Sequence, residues 1–152
     1  MCGIVGFWVS ESGLRGEEAL PVARRMADTI AHRGPDSDGY WVDADAGITL
    51  AHRRLAIQDL SPAGAQPMIS ASGRYVIIFN GEIYNFQELR RTLEDAGQAP
   101  DWRGHSDTEV LLACIEAWDV ETALKRSIGM FAFALWDRKA RRVILARDRM
   151  GE

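Results

Sequence analysis

An apolar run begins only three residues into the chain. Residues 4–9, Ile-Val-Gly-Phe-Trp-Val, read as a buried strand by length and composition. A chain that buries a strand at its own start must bring sheet partners to it from further along, so the fold is layered. Short strand-like runs then alternate with amphipathic helical ones. Val22, Met26 and Ile30 recur at i, i+4 and i+8 within residues 20–31, one face of a helix, and Pro21 fits its first turn. Gly34 and Pro35 break that helix in a charged loop at 32–36. Residues 40–42 and 48–57 read as strands, 61–72 as a loop rich in Pro, Gly, Ala and Ser, and 75–79 as a central strand. Residues 86–96 are predicted helical, with Asn85 and Glu88 in capping-box spacing and Gly97 as the stop. A second capping box, Ser106-Asp107-Thr108-Glu109, opens a helix carrying Leu112, Ile115 and Trp118. Residues 130–136 and 142–146 are the last predicted strands. This mixed order predicts an α/β or α+β layered domain, and no shift of composition marks an internal boundary.

Composition narrows the function classes. At 152 residues the chain suits one domain, and 47% apolar with 26% charged residues is an ordinary globular mixture. The net charge of −4 gives no global attraction to nucleic acid or to an anionic membrane. No apolar run reaches the ~18–20 residues of a membrane span, and no basic leader precedes the first apolar stretch. A soluble, cytoplasmic chain is the expectation. Cys2 and Cys114 are too few for a disulfide framework and lack zinc-ligand spacing, and His32, His52 and His105 are scattered, so no metal site is expected. There is no G-x-G-x-x-G or Walker loop to cradle a phosphate.

Cys2 is the most informative residue. A small side chain after Met1 is the usual condition for removal of the initiator methionine, which would put a thiol and a free α-amine on one residue. An α-amine titrates near ~7.7–8.0 and a thiol near ~8.5, so the amine can take the thiol proton at neutral pH. A cysteine at position two can equally be accidental. Asn80-Gly81 is the commonest signal of a hairpin turn, yet the following Glu-Ile-Tyr-Asn does not alternate cleanly, which favours a loop leading into the helix. An Asn amide and a Gly N–H are also suitable donors for an oxyanion. Asp107 has a structural reading as a favourable charge in the first turn of a helix. Arg53 and Arg54 point to opposite faces of their strand, so one of them faces inward and needs an anion, either a protein carboxylate or a ligand's.

Together these pieces resemble the glutaminase domain of the class II, N-terminal-nucleophile glutamine amidotransferases. The matching segments are Met1-Cys2-Gly3-Ile4-Val5-Gly6, His32-Arg33-Gly34-Pro35-Asp36, His52-Arg53-Arg54-Leu55-Ala56-Ile57, Gly64-Ala65-Gln66-Pro67, Asn80-Gly81-Glu82-Ile83-Tyr84-Asn85, Ser106-Asp107-Thr108-Glu109 and Gly129-Met130-Phe131-Ala132-Phe133-Ala134. They stand in family order over essentially the whole chain. The Arg-Gly-Pro-Asp and Asn-Gly-Glu-Ile-Tyr-Asn forms favour the asparagine synthetase branch.

The resemblance implies an α+β fold, a four-layer αββα sandwich of the N-terminal nucleophile hydrolase type, formed by residues 1–152 and incomplete at the C-terminus. It implies Cys2 as nucleophile once Met1 is gone, with its own amine as base. Asn80 and Gly81 would hold the oxyanion, and Arg54 the α-carboxylate of glutamine. Asp107 and Glu82 would hold its α-ammonium, and Arg33 and Gly34 would form the loop supporting the cysteine. The implied reaction is hydrolysis of glutamine to glutamate and ammonia without a cofactor. ATP and Mg²⁺ are expected only in a synthetase domain, in cis or in trans, whose Ser-Gly-Gly-x-Asp loop this sequence lacks. A homo-oligomer is compatible with the family. Two other functions fit the same residues: a non-catalytic domain that binds glutamine or a partner, and amidotransfer to an acceptor other than aspartate.

Overall fold

The computed structural model describes residues 1–9, 16–57 and 59–151. Among the described residues seven strands form two antiparallel sheets. Strands β1 (Gly3–Trp8), β2 (Ser37–Asp43) and β3 (Ile48–Arg54) make a three-stranded sheet in the order β1-β3-β2. Strands β4 (Met68–Ile69), β5 (Tyr75–Ile83), β6 (Gly129–Asp137) and β7 (Arg142–Arg147) make the second, in sequence order. The helices are α1 (Ala19–Thr29), α2 (Phe86–Asp95), α3 (Asp107–Ala117) and α4 (Val120–Arg126).

Side-chain alternation builds the layers, because neighbours on a strand face opposite ways. Ile48 and Leu50 of β3, Val76 and Ile78 of β5 and Trp136 of β6 meet in the space between the sheets. The other face of the first sheet, Val5, Phe7, Tyr40 and Ala51, packs on Ala23 and Ala27 of α1, whose small side chains let the helix lie close. The other face of the second sheet, including Ile77, Phe79, Phe133 and Leu135, packs on Leu89 and Leu93 of α2 and on Leu111, Leu112 and Ile115 of α3. Each fully buried side chain of this size contributes roughly 1.5–3 kcal/mol. The result is the expected four-layer αββα sandwich.

Several local readings are corrected. The strand expected to stop at Phe79 runs on to Ile83, because β6 pairs with it in register from Tyr75↔Asp137 to Ile83↔Gly129. Asn80-Gly81 is therefore neither a hairpin turn nor a loop but lies within β5. The strand expected over 48–57 ends at Arg54, β2 begins earlier at Ser37, and the loop read at 61–72 contains the short β4. Asn85 precedes α2 without capping it: its Nδ2 donates to the Arg126 carbonyl (2.9 Å) and its Oδ1 accepts from the Ile128 N–H (2.8 Å), fastening the end of α4 instead. The second capping box is half made. Ser106 Oγ accepts from the Glu109 N–H (3.2 Å), but the Glu109 carboxylate turns to the N–H groups of Arg103 (2.9 Å) and Gly104 (3.0 Å). Helix α4 was not anticipated, although Asp119 caps it through the Thr122 N–H (2.8 Å).

Candidate active site

The alternation that builds the inner core also assembles the site. Ile4 of β1 faces the inter-sheet space, and Cys2 lies two residues before it on the same side. Ile48 and Leu50 of β3 face it as well, and His52 and Arg54 continue that face. On β5 the inward series Val76, Ile78 is continued by Asn80 and Glu82. The register Gly3↔Arg53 brings the start of β1 beside the end of β3. At this end of the sandwich a cavity of about 120 Å³ opens, bordered by Cys2, Arg54, Asn80, Gly81, Glu82 and Asp107.

Cys2 is held by backbone. Its Sγ accepts from the Leu55 N–H (3.4 Å) and donates to the Leu55 carbonyl (3.6 Å), while Arg33 Nε donates to the Cys2 carbonyl (3.1 Å). Gly34 packs against the end of β3; a Cβ there would sit 2.6 Å from the Arg54 nitrogen and closer still to the Arg53 carbonyl. Asp36 completes this loop, its Oδ2 accepting from the Ala56 N–H (2.8 Å) and its own N–H donating to the Arg54 carbonyl (3.0 Å). Met1 also lines the cavity and is half exposed.

The two arginines divide as strand geometry requires. Arg53 faces α1, where it pairs with Asp28 (2.6 Å) and donates to the Ala27 carbonyl (3.2 Å). Arg54 faces the cavity. Its guanidinium is braced by the carbonyls of Ser61 (3.1 Å) and Asp59, and Gly64 lies against it with no room for a side chain. Among the described residues Arg54 makes no ion pair, so its charge is available to a ligand anion.

The carboxylates of Glu82 and Asp107 border the same cavity. Asp107, 6% exposed at the start of α3, accepts from the N–H groups of Ile83 (2.8 Å) and Thr108 (2.8 Å). Burial raises its pKa against the pull of those two bonds, and the nearby Glu82 carboxylate adds to the rise. Among the described residues neither carboxylate is ion-paired, an arrangement suited to a ligand ammonium.

Asn80 and Gly81 border the same cavity. Among the described residues Asn80 Nδ2 donates to no protein group, and its buried Oδ1 has no partner. Gly81 has φ +151°, and a Cβ there would sit 2.5 Å from Phe131 Cα and nearer still to the Met130 carbonyl. Only glycine fits. The N–H groups of Phe79 and Ile83 both point away from β6, to Gln66 Oε1 (2.6 Å) and Asp107 Oδ2. By the two-residue alternation the Gly81 N–H between them points the same way, toward the cavity.

The structure thus brings Cys2, Arg54, Asn80, Gly81, Glu82 and Asp107 together around one cavity, with Arg33 and Gly34 behind the cysteine. Sequence reasoning missed Leu55, Asp36, Gln66 and His52. The first acts through backbone alone, and only His52 carried a readable signal, its place on the inward face of a strand. Among the described residues no group of three or more His, Cys, Asp or Glu is placed to hold a metal ion, and no helix is long and apolar enough to cross a membrane.

In this two-sheet sandwich the cysteine at position two borders a cavity that is also lined by a guanidinium and by the carboxylates of Glu82 and Asp107. All of residues 1–152 match the glutamine amidotransferase domain family, and the chain belongs to it. It is 42% identical over 151 residues to glutamine-hydrolysing asparagine synthetase 1 of Bacillus subtilis, covering 99% of this chain and 23% of that protein. It is 35% identical over 158 residues to amidase chry2 of Gibberella zeae, again 99% of this chain and 23% of that one. The chain therefore spans about a quarter of the length of these relatives. Among solved structures, glutamine phosphoribosylpyrophosphate amidotransferase from B. subtilis superposes with a TM-score of 0.74 at 20% identity, over 97% of this chain and 37% of that one, a likeness of fold.

Proposed function

We propose that this domain hydrolyses the side-chain amide of glutamine and delivers the ammonia to a synthetase site. The observation that carries the reading is the shared cavity, in which the Cys2 thiol lies with a guanidinium and the carboxylates of Glu82 and Asp107, none of them ion-paired among the described residues, and with a glycine N–H directed inward. Removal of Met1 exposes the α-amine of Cys2, which takes the thiol proton. Arg54 holds the α-carboxylate of glutamine, and Asp107 and Glu82 hold its ammonium. The thiolate attacks the side-chain amide carbon, and the C=O electron pair moves to oxygen, where Asn80 Nδ2 and the Gly81 N–H stabilise it. The C–N bond then breaks as the terminal ammonium protonates the leaving nitrogen, giving ammonia and a γ-glutamyl thioester. Water attacks the thioester, releasing glutamate and returning the thiol.

The names of the relatives support asparagine synthesis as the destination of the ammonia, with aspartate as acceptor, and a cytoplasmic setting is part of the same proposal; the similarity to amidase chry2 keeps another acceptor in view. ATP and Mg²⁺ belong to that synthetase step. The carboxylates that border this cavity would repel a triphosphate. The test is the intact mass of the purified chain, with and without an alkylating glutamine mimic, alongside glutamate release. Loss of Met1, one adduct on Cys2 blocked by glutamine, and glutamate production are expected. Glutamine binding without glutamate release would replace this reading with a non-catalytic binding domain.

A further inference from the structure

Strand β4 meets β5 only at Val76 and Ile77, so beyond that point one edge of β5 has no strand beside it. Side chains from three other segments take the place of the missing strand. Gln66 Oε1 accepts from the Phe79 N–H (2.6 Å), His52 Nε2 donates to the Phe79 carbonyl (3.1 Å), and Asp107 Oδ2 accepts from the Ile83 N–H (2.8 Å). Of the N–H groups along this edge, the one between the satisfied pair is that of Gly81.

We propose that His52 and Gln66 are positioning residues of the oxyanion site, which fix the direction of the Gly81 N–H and the Asn80 amide by clamping β5 at Phe79. The inference rests on the glutaminase reading and deepens it. His52 belongs to β3 of the first sheet, and Gln66 to the segment that leads into β4 of the second. His52 is 1% exposed and reaches across the inter-sheet space from β3, two residues before Arg54 on the same face. The strand that presents Arg54 to one end of a substrate is thus fastened to the strand that presents oxyanion donors to the other. Gln66 is locked in turn: its backbone lies against Gly39, where a Cβ would be 3.0 Å from the Gln66 carbonyl carbon and nearer to its oxygen, and Gly39 pairs with His52 in register. Because Phe79 offers an acceptor, the His52 proton sits on Nε2, and Nδ1 is left buried without a partner. An aliphatic side chain would fill this space without that cost, so the hydrogen bond itself is what the position supplies.

The variants to compare on the Met1-free chain are His52→Leu, His52→Gln, which keeps an N–H donor at a similar reach, and Gln66→Met. Glutamine hydrolysis is expressed per active site counted by Cys2 alkylation. His52→Leu and Gln66→Met should each lower kcat by roughly 10²-fold, the scale of a misplaced oxyanion donor, with KM within about twofold. His52→Gln should recover most of that loss. A packing role alone would lower the count of active sites and leave kcat per site intact, and that result overturns the proposal. The Gly81 amide resonance gives a readout that needs no turnover, and it should shift in His52→Leu and return toward wild type in His52→Gln. An unmoved Gly81 resonance also overturns it. Should His52→Leu fail to fold, the other two variants carry both measurements. A wild-type chain that releases no glutamate sinks the glutaminase reading instead, and the resonance test still decides the clamp.

Discussion

The sulfur of Cys2 is bracketed by the backbone of a single residue, Leu55, whose N–H lies 3.4 Å from it and whose carbonyl lies 3.6 Å away. Leu55 directly follows Arg54, so the position of the thiol and that of the cavity-facing guanidinium are set by adjacent residues at the end of β3. Backbone groups, unlike a side chain, cannot swing away from the sulfur. The thiol is therefore placed by main chain on both sides.

Cys2→Ala should reduce glutamate release to the uncatalysed background while leaving the melting temperature within a few degrees of wild type. The half-buried thiol contributes little packing, and its two sulfur bonds are long. Steady-state assay and a thermal melt on the same sample check both halves; residual turnover above background would remove Cys2 from the chemistry.

Gly81→Ala and Gly73→Ala make a paired test of backbone demand. Both glycines have positive φ, +151° and +75°, but a Cβ at Gly73 meets nothing within 4 Å whereas one at Gly81 runs into Met130 and Phe131 of β6. The Gly73 variant should lose about 1–2 kcal/mol from conformational strain alone. The Gly81 variant should lose more than about 3 kcal/mol, or fail to fold, because strain and overlap with the neighbouring strand add. Denaturant melts of equal slope would compare them directly, and equal losses would contradict the close approach of β6.

The layered class was legible from the alternation of strand and helix patterns, whereas the four-layer sandwich and the site roles were read from the order of the family motifs. Ile4, Ile48, Leu50, Val76 and Ile78 mark the inner face, and the same count carries inward to Cys2, Arg54 and Asn80. What was not legible depends on pairings distant in sequence. The extension of β5 through Asn80-Gly81 exists because β6, some fifty residues later, pairs with it to the end. Asn85 has the spacing of a cap, but its amide is taken by Arg126 and Ile128. Glu109 leaves its capping box for Arg103 and Gly104 for the same kind of reason. Leu55 offers only main-chain groups, so nothing in its side chain could have announced it.

Arg54→Lys should raise KM for glutamine by roughly 10–100-fold with a smaller change in kcat, the scale of one or two charge-assisted hydrogen bonds. A lysine cannot both rest on the Ser61 and Asp59 carbonyls and present a planar fork to a carboxylate. The neighbouring Arg53→Lys serves as the contrast. Its ion pair with Asp28 is partly exposed, so that change should cost at most about 1 kcal/mol of stability and leave KM alone. Kinetics on both variants would expose an error if the two arginines behaved alike.

Asp107→Asn should weaken glutamine binding by at least about tenfold. The loss has two sources, the charge opposite the substrate ammonium and one of the two acceptor oxygens that now take the Ile83 and Thr108 N–H groups. Binding measured by calorimetry in the Cys2→Ala background separates this from any effect on chemistry. An unchanged affinity would place the substrate ammonium elsewhere.

The buried imidazole of His52 should make the fold acid-sensitive well above the range where carboxylates titrate. Burial lowers its pKa from 6.5 to about 4, with the nearby Arg54 charge acting in the same direction and the bond to the Phe79 carbonyl opposing. A group whose folded pKa is depressed contributes stability in full above its unfolded pKa and loses it as pH falls toward the folded value. The window is therefore from about pH 6.5 down to about pH 4, and the loss is on the order of 3 kcal/mol. Asp107 works in the opposite sense, since its raised pKa means the folded state binds that proton more tightly and gains stability as pH falls. Asp137, lowered chiefly by its bond to Arg74, loses stability only below the ordinary carboxylate range. Urea melts at pH 7, 5.5 and 4.5 should show the wild-type chain weakening faster than His52→Gln, whose side chain does not titrate. Parallel curves for the two proteins would mean that His52 is not held neutral between the sheets.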